Sequence, residues 1–413
     1  MIDKPANLEL TPELLQQNPL LAAAITGMSM FMIAVLIGSL ASWTYLILKA
    51  RRREPWLKAE PLGPRAWGLA DLVVLAVLVV LCQTLLASAY VRLSGVELDQ
   101  MQGAALPADV SMVASIGNLV AVGLALVWLA LRYQVSPAHV GFHLRGWMRQ
   151  FQIAVIGTLA ALPVVYLLMA AVSIGLDAEY QHPLLDEIRS QATLGSYLLG
   201  AVTAVLVAPL AEEFLFRGMI QGWLQSWQFS SPRQIVLGES PSQRAQTALA
   251  DVVPATIVES DNSVDSHVGI AVAQPPVVGA PTPLPHSLTV DQSHAMNQSP
   301  FGTSTSAELA LSHSPLTGDS RVPAEAIAAR LPPIWPSVAT GILFGLAHWG
   351  YGLSFIPLIV LGIVLGLIYR ATNSIWPCFL LHMALNGTSM LGLGLGILIE
   401  RAEPVVAWLA QLL

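Results

Sequence analysis

The sequence has few charged residues for its length. Asp, Glu, Lys and Arg make up 11% of its 413 residues, whereas soluble domains carry about 25%. Hydrophobic residues reach 54%, and long uncharged apolar runs of this kind are typical of membrane-spanning helices. The composition therefore excludes an ordinary soluble domain and predicts an all-α, polytopic transmembrane helical bundle.

Cysteine, basic blocks and a cleavage site are scarce or absent as well. Only Cys82 and Cys378 occur, both inside apolar runs, so a disulfide framework or a cysteine-based zinc site is excluded. No basic block long enough to bind nucleic acid is present. The first apolar run, about residues 21–48, is followed by arginines at 51–53 rather than by small residues, which predicts a retained span.

Hydropathy predicts about eight spans, although the sixth and seventh are short of the roughly 20 residues that a span needs. The predicted ranges are 22–48, 69–93, 110–132, 152–175, 196–217, 334–350, 353–370 and 375–398. Basic residues concentrate in the loops after the first and third spans, which places those loops in the cytoplasm and both termini outside. We expect a multi-pass protein of the cell membrane, in contact with lipid and not with nucleic acid.

One segment differs in composition from the rest of the chain. Residues 229–333 are rich in Ser, Pro, Thr, Val and Ala, as in "AQPPVVGAPTPLPHSL", and show no sustained helical or strand period. A stretch of this length and composition predicts a disordered insertion, here on the cytoplasmic side.

Six polar side chains of note interrupt three of the predicted spans. An ionisable group at bilayer depth costs about 2.5–3.5 kcal/mol or more, so such residues indicate a functional site. They are Glu212, Glu213, Arg217, His348, His382 and Asn386.

Helical spacing sorts the three residues of the fifth span. Glu213 and Arg217 are four residues apart, so they share a helix face and are predicted to pair. Glu212 is rotated by about 100° from Glu213 and is expected to point elsewhere. The hydropathy limits would leave Glu212 far from His348. We therefore expect the fifth helix to continue to about Trp227, and the sixth to extend past residue 349 or to lie deeper.

The other two spans repeat this spacing. His382 and Asn386 are four residues apart, as are Phe344 and His348. A carboxylate and an imidazole around one water form a general base, and a second imidazole with an amide can stabilise an oxyanion. These groups suit hydrolysis of an amide, whereas the Gly-x-Ser-x-Gly and His-Glu-x-x-His motifs are absent.

The three motifs together resemble those of a known family. Glu-Glu-x-x-x-Arg at 212–217, Phe-x-x-x-His at 344–348 and His-x-x-x-Asn at 382–386 occur in this order on successive spans. They resemble the motifs of the CPBP intramembrane proteases, which include the type II CAAX prenyl endopeptidases, bacteriocin-processing proteins and Abi proteins. The resemblance implies an endopeptidase that cleaves a peptide or protein near a membrane anchor.

The resemblance also implies a role for each residue. Glu212 would activate water with help from His348, His382 and Asn386 would stabilise the oxyanion, and Glu213 with Arg217 would support the site. Because the family is labelled metalloprotease, Glu212, His348 and His382 could hold a divalent metal such as zinc. A metal-free glutamate mechanism is equally open.

The resemblance divides the chain into four regions and leaves other functions open. Family members usually join the first two motifs by a short connector, which this chain replaces with its long insertion. The alternatives are a non-catalytic binding or immunity factor of the same family and a proton-coupled transporter, although no inverted repeat is visible. The regions are a four-span region without a readable motif at 1–195, the first part of the protease core at 196–228, the insertion at 229–333, and the rest of the core at 334–413.

Overall fold

The computed structural model describes residues 12–57, 64–95, 108–175, 194–240 and 332–412, with 242, 243 and 246. In these ranges the chain is helical and contains no strand, and seven helices are long and apolar enough to cross a membrane. The all-α polytopic bundle is therefore confirmed, and the protein is an integral membrane protein. Its α-helices are α1 (Pro12–Gln17), α2 (Pro19–Arg51), α3 (Leu69–Ser94), α4 (Ala108–Tyr133), α5 (Trp147–Gly175), α6 (Leu194–Val202), α7 (Ala208–Glu213), α8 (Gly222–Ser226), α9 (Pro232–Leu237), α10 (Trp335–Leu346), α11 (Phe355–Thr372) and α12 (Ile375–Leu412).

The fifth span is one long helical segment, which we call the glutamate helix (Tyr197–Phe229). Two π-helical segments, Thr203–Val207 and Phe214–Gln221, lie on either side of α7 within it. Such wider turns are rare and occur frequently at functional sites. The predicted continuation past residue 217 is confirmed, and it places Glu212 near the middle of the helix.

The sixth predicted span, 334–350, is not a span in the structure. Helix α10 has 12 residues, a length of about 18 Å, which is short of the roughly 30 Å hydrocarbon core. It ends before His348, whose backbone lies at φ −102° and ψ 11°, and a 3₁₀ segment (Trp349–Ser354) follows. Of the two expected adjustments, the extension past residue 349 is therefore wrong. Seven helices among the described residues are long and apolar enough to span a membrane, compared with the eight predicted.

Glycines let α10 and α11 approach each other closely. A Cβ atom at Gly341 would lie 2.5 Å from the backbone nitrogen of Ile363, and one at Gly362 would lie 2.8 Å from Gly341 Cα. Small residues at such a crossing let two backbones pack directly. This contact fixes the end of α10, and hence His348, against the long helix α11.

Replacing Gly345 with alanine is expected to destabilise the fold. The added Cβ would lie 2.7 Å from the carbonyl oxygen of Phe355, and overpacking of this kind costs about 1–3 kcal/mol. Gly123→Ala is the matched control, because a Cβ there meets nothing within 4 Å. Thermal unfolding in detergent should show a lower midpoint for Gly345→Ala only, and equal midpoints would contradict the close packing.

Part of the predicted insertion is bound to the first spans. Most of residues 229–333 lies outside the described residues, but α9 is helical rather than structureless. The Leu237 carbonyl accepts a hydrogen bond from Arg132 Nη2 at 3.1 Å and lies 2.8 Å from the Tyr133 hydroxyl. That hydroxyl is also 2.7 Å from Asp71, a buried carboxylate of α3. The chain therefore leaves the glutamate helix along α3 and α4.

Candidate active site

The glutamate helix carries a buried ion pair at its centre. Arg217 Nε lies 3.2 Å from Glu213 Oε2, and both side chains are fully inaccessible to solvent. This is the pair that the i, i+4 spacing predicts. The Arg217 guanidinium also lies 4.9 Å from the centre of the Phe344 ring, a cation–π contact with α10. The pair therefore links two motifs of the sequence.

Helix α12 brings His382 to the same carboxylate. His382 Nδ1 lies 2.9 Å from Glu213 Oε1, and the imidazole is only 3% exposed. Because a carboxylate only accepts hydrogen bonds at neutral pH, Nδ1 carries the proton of this contact. Glu213 thus accepts from His382 with one oxygen and pairs with Arg217 through the other.

Glu212 faces the opposite nitrogen of the same imidazole. Glu212 Oε2 lies 3.9 Å from His382 Nε2, so Glu212 lies outside the Glu213–Arg217 pair, as its rotation on the helix predicts. The two ring nitrogens of His382 thus face two adjacent carboxylates, although these lie about 100° apart around the helix. The side chain of Glu212 is 28% exposed, whereas that of Glu213 is 0% exposed. The two carboxylates therefore differ in access.

The second histidine lies against the same aromatic ring. The centre of the Phe344 ring is 5.0 Å from that of His348 and 5.5 Å from that of His382. His348 Nδ1 is 2.8 Å from the Phe344 carbonyl oxygen, an acceptor, so Nδ1 is the protonated nitrogen. The proton-accepting lone pair of a neutral His348 is then on Nε2.

Asn386 contacts the glutamate helix at a different place. Its Nδ2 donates to the carbonyl oxygen of Ala204 at 2.8 Å, in the first π-helical segment. The contact uses one of the two amide hydrogens of Asn386 and ties α12 to the turn that precedes α7. The structure thus brings the six predicted residues to the glutamate helix, the end of α10 and α12, and it joins five of them through contacts with Glu213, His382 or Phe344.

A metal site is not assembled from these groups. Among the residues that the structure describes, no three or more His, Cys, Asp or Glu side chains are arranged to hold a metal ion. Glu212, His348 and His382 therefore do not form a metal-ligand set in this arrangement, and His382 Nδ1 is engaged by Glu213.

The sequence reasoning missed a buried polar network next to the site. Gln221 donates to the Gly366 carbonyl oxygen at 2.7 Å and to Ser337 Oγ at 3.1 Å, and it accepts from Thr340 Oγ1 at 3.2 Å. These polar side chains are fully buried and join the glutamate helix to α10 and α11. The sequence pattern that could have predicted this network is the four-residue spacing from Glu213 through Arg217 to Gln221, which puts all three on one helix face.

Comparison with protein families identifies the region that contains the site. Residues 194–240 and 322–388 match the family model described as "Type II CAAX prenyl endopeptidase Rce1-like". The matched segments contain all three motifs and all six site residues. The match supports a CPBP/CAAX protease-like assignment for this part of the chain. Comparisons with curated proteins and with solved structures give no significant match.

Similarity to this family supports proteolysis as the class of activity. The Rce1-like family is a protease family, and its model covers both parts of the chain that build the site. The first four long helices, α2 to α5, lie outside the match.

Proposed function

We propose that this protein is an intramembrane endopeptidase that cleaves a membrane-associated peptide with a water activated by Glu212 and His382. One observation carries the proposal. A single imidazole lies between two adjacent carboxylates, of which one is partly accessible and the other is fully buried and paired with arginine. Glu212, the accessible carboxylate, can contact substrate, whereas the buried Glu213 can only orient the imidazole of His382.

The arrangement suits one bound water. With Nδ1 protonated toward Glu213, a neutral His382 presents a lone pair on Nε2, which faces Glu212 Oε2 across 3.9 Å. Two acceptors at this distance do not bind each other, but a water can donate a hydrogen to each. A water about 2.8 Å from both atoms would have an angle near 90° at its oxygen, close to what its two O–H bonds need.

The bond changes follow from this placement. The oxygen of the water attacks the carbonyl carbon of the scissile bond, and Glu212 accepts a proton from this water. The tetrahedral intermediate then collapses, the C–N bond breaks, and the proton on Glu212 passes to the leaving nitrogen. We also propose that His348, whose ring contacts Phe344, assists Glu212. The oxyanion role of Asn386 would rest on the amide hydrogen that Ala204 does not accept.

We propose a mechanism without a metal ion, which is supported by the lack of a metal-ligand group among the described side chains. We also propose that the substrate is a peptide or protein near a membrane anchor. Glu212 lies near the middle of a membrane-spanning helix, so the scissile bond has to reach membrane depth.

Reporter cleavage by the purified protein in lipid nanodiscs tests this function. A peptide library attached to a membrane anchor should yield products whose masses sum to that of the substrate plus one water. We expect 1,10-phenanthroline and EDTA to leave the rate unchanged. Loss of cleavage with either chelator, restored by zinc, would reject the metal-free mechanism but keep the protease. The absence of any product across the library would favour a non-catalytic binding factor.

A further inference from the structure

One face of the glutamate helix is polar far beyond the catalytic residues. Glu213, Arg217, Gln221 and Gln225 follow each other at intervals of four, and each is at most 1% exposed. They extend over a helix length of about 18 Å. Apolar side chains would normally occupy such positions in a membrane bundle, so this polar face requires an explanation beyond packing.

Several buried polar atoms on and beside this face have no hydrogen-bond partner among the described residues. Nη1 and Nη2 of Arg217 and both amide atoms of Gln225 are buried and unpartnered, as are Thr203 Oγ1 and Glu212 Oε2. A buried polar group left unsatisfied costs about 1–3 kcal/mol. Buried waters typically satisfy such groups, and they need two to four polar neighbours in order to stay.

The polar face reaches the edge of the membrane-spanning segment. Gln225 lies between Trp223 and Trp227, whose rings pack at 5.0 Å, and Trp335 packs on Trp227 at 5.6 Å. Tryptophan clusters of this kind are typical of the membrane–water interface. Gln225 therefore lies at the level of this cluster, at the end of the glutamate helix where we expect the membrane–water interface, whereas Glu212 lies near the middle of the helix.

We propose that internal waters occupy this polar face and supply Glu212 from the Trp227 end of the glutamate helix. Gln225 would bind the first water, and Arg217 would bind waters beside the ion pair. Gln221 can join the chain, because its Oε1 accepts from Thr340 and keeps one lone pair. The supply role rests on the proposed function, whereas the hydration itself does not.

The two cysteines of the chain provide a probe for this hydration. Cys378 Sγ donates to the Leu365 carbonyl oxygen, and its side chain is buried. The thiol is also close enough to Glu213 and Arg217 to interact with their charges. Cys82 is also buried but lies on α3. Hydroxyl radicals produced from bound water by X-rays oxidise adjacent thiols. In H₂¹⁸O, we expect Cys378 to take up labelled oxygen several-fold faster than Cys82. Equal or slower labelling would overturn the proposal.

Gln225→Met provides a second test, with Gln228→Met on the exposed side of the same turn as the control. If Gln225 binds water, its replacement should slow labelling of Cys378 and lower kcat about tenfold, equivalent to ~1.4 kcal/mol, with KM unchanged. If the amide is dry, removing it should raise the unfolding temperature and leave labelling unchanged, which would overturn the proposal. Labelling needs no turnover, so rapid labelling without cleavage would reject the protease function alone.

Discussion

Glu212→Gln is expected to abolish most cleavage while leaving the fold intact. Glutamine has the size of glutamate but cannot accept the proton of the attacking water. Loss of a general base typically lowers kcat by about 10²–10⁴-fold. Because Glu212 is partly exposed and outside the Glu213–Arg217 pair, the unfolding temperature should stay close to that of the wild type. Initial rates on the anchored reporter in nanodiscs measure the effect.

Glu54→Gln is the matched control for this substitution. Glu54 is exposed and follows the end of α2, so the Glu54→Gln variant should keep the cleavage rate and the unfolding temperature of the wild type. Undiminished cleavage by Glu212→Gln would show that the accessible carboxylate is not the base. A large fall in the unfolding temperature would show instead that Glu212 has a structural role.

Arg217→Met is expected to cause the largest loss of stability of any single substitution proposed. The change leaves Glu213 as a buried carboxylate without its cation, and breaking a buried pair in this way costs about 3–5 kcal/mol. Arg145→Met, at an exposed arginine before α5, is the control for loss of a positive charge. Thermal unfolding in detergent measures both, and equal stability of Arg217→Met and wild type would contradict the ion pair.

The double variant Glu213→Gln/Arg217→Met separates stability from activity. Removing both charges together avoids the unpaired carboxylate, so much of the lost stability should return. Activity should stay low, because His382 then contacts a neutral amide instead of a charged carboxylate. Recovery of full activity in the double variant would show that Glu213 and Arg217 act only as structural residues.

Local geometry accounts for what the sequence predicted correctly. The pairing of Glu213 with Arg217 depends only on the spacing of a helix, and the structure confirms it. The continuation of the glutamate helix past residue 217 was predicted because Glu212 has to lie close to His348, and not from hydropathy. The four-residue spacing of Gly341 and Gly345 likewise puts both glycines on one face of α10, where α11 packs closely.

Features that the spacing within one helix could not predict depend on neighbouring helices. Glu212 faces His382 because α12 places its imidazole between two carboxylates, and no spacing within the glutamate helix contains that information. Helix α10 is too short to span because the chain turns at His348 and at Gly352, whose φ is +68°. Hydropathy cannot detect this turn, since the residues on both sides of it remain apolar.

Direct observation of the His382 ring nitrogens tests the account most closely. ¹⁵N NMR of the protein labelled at histidine, with His382→Gln used to assign the signal, reports which nitrogen carries a proton. We predict a protonated Nδ1 in the wild type, and a shift of the His382 signals in both Glu213→Gln and Glu212→Gln. An unprotonated Nδ1, or signals that neither substitution changes, would contradict an imidazole held between the two carboxylates.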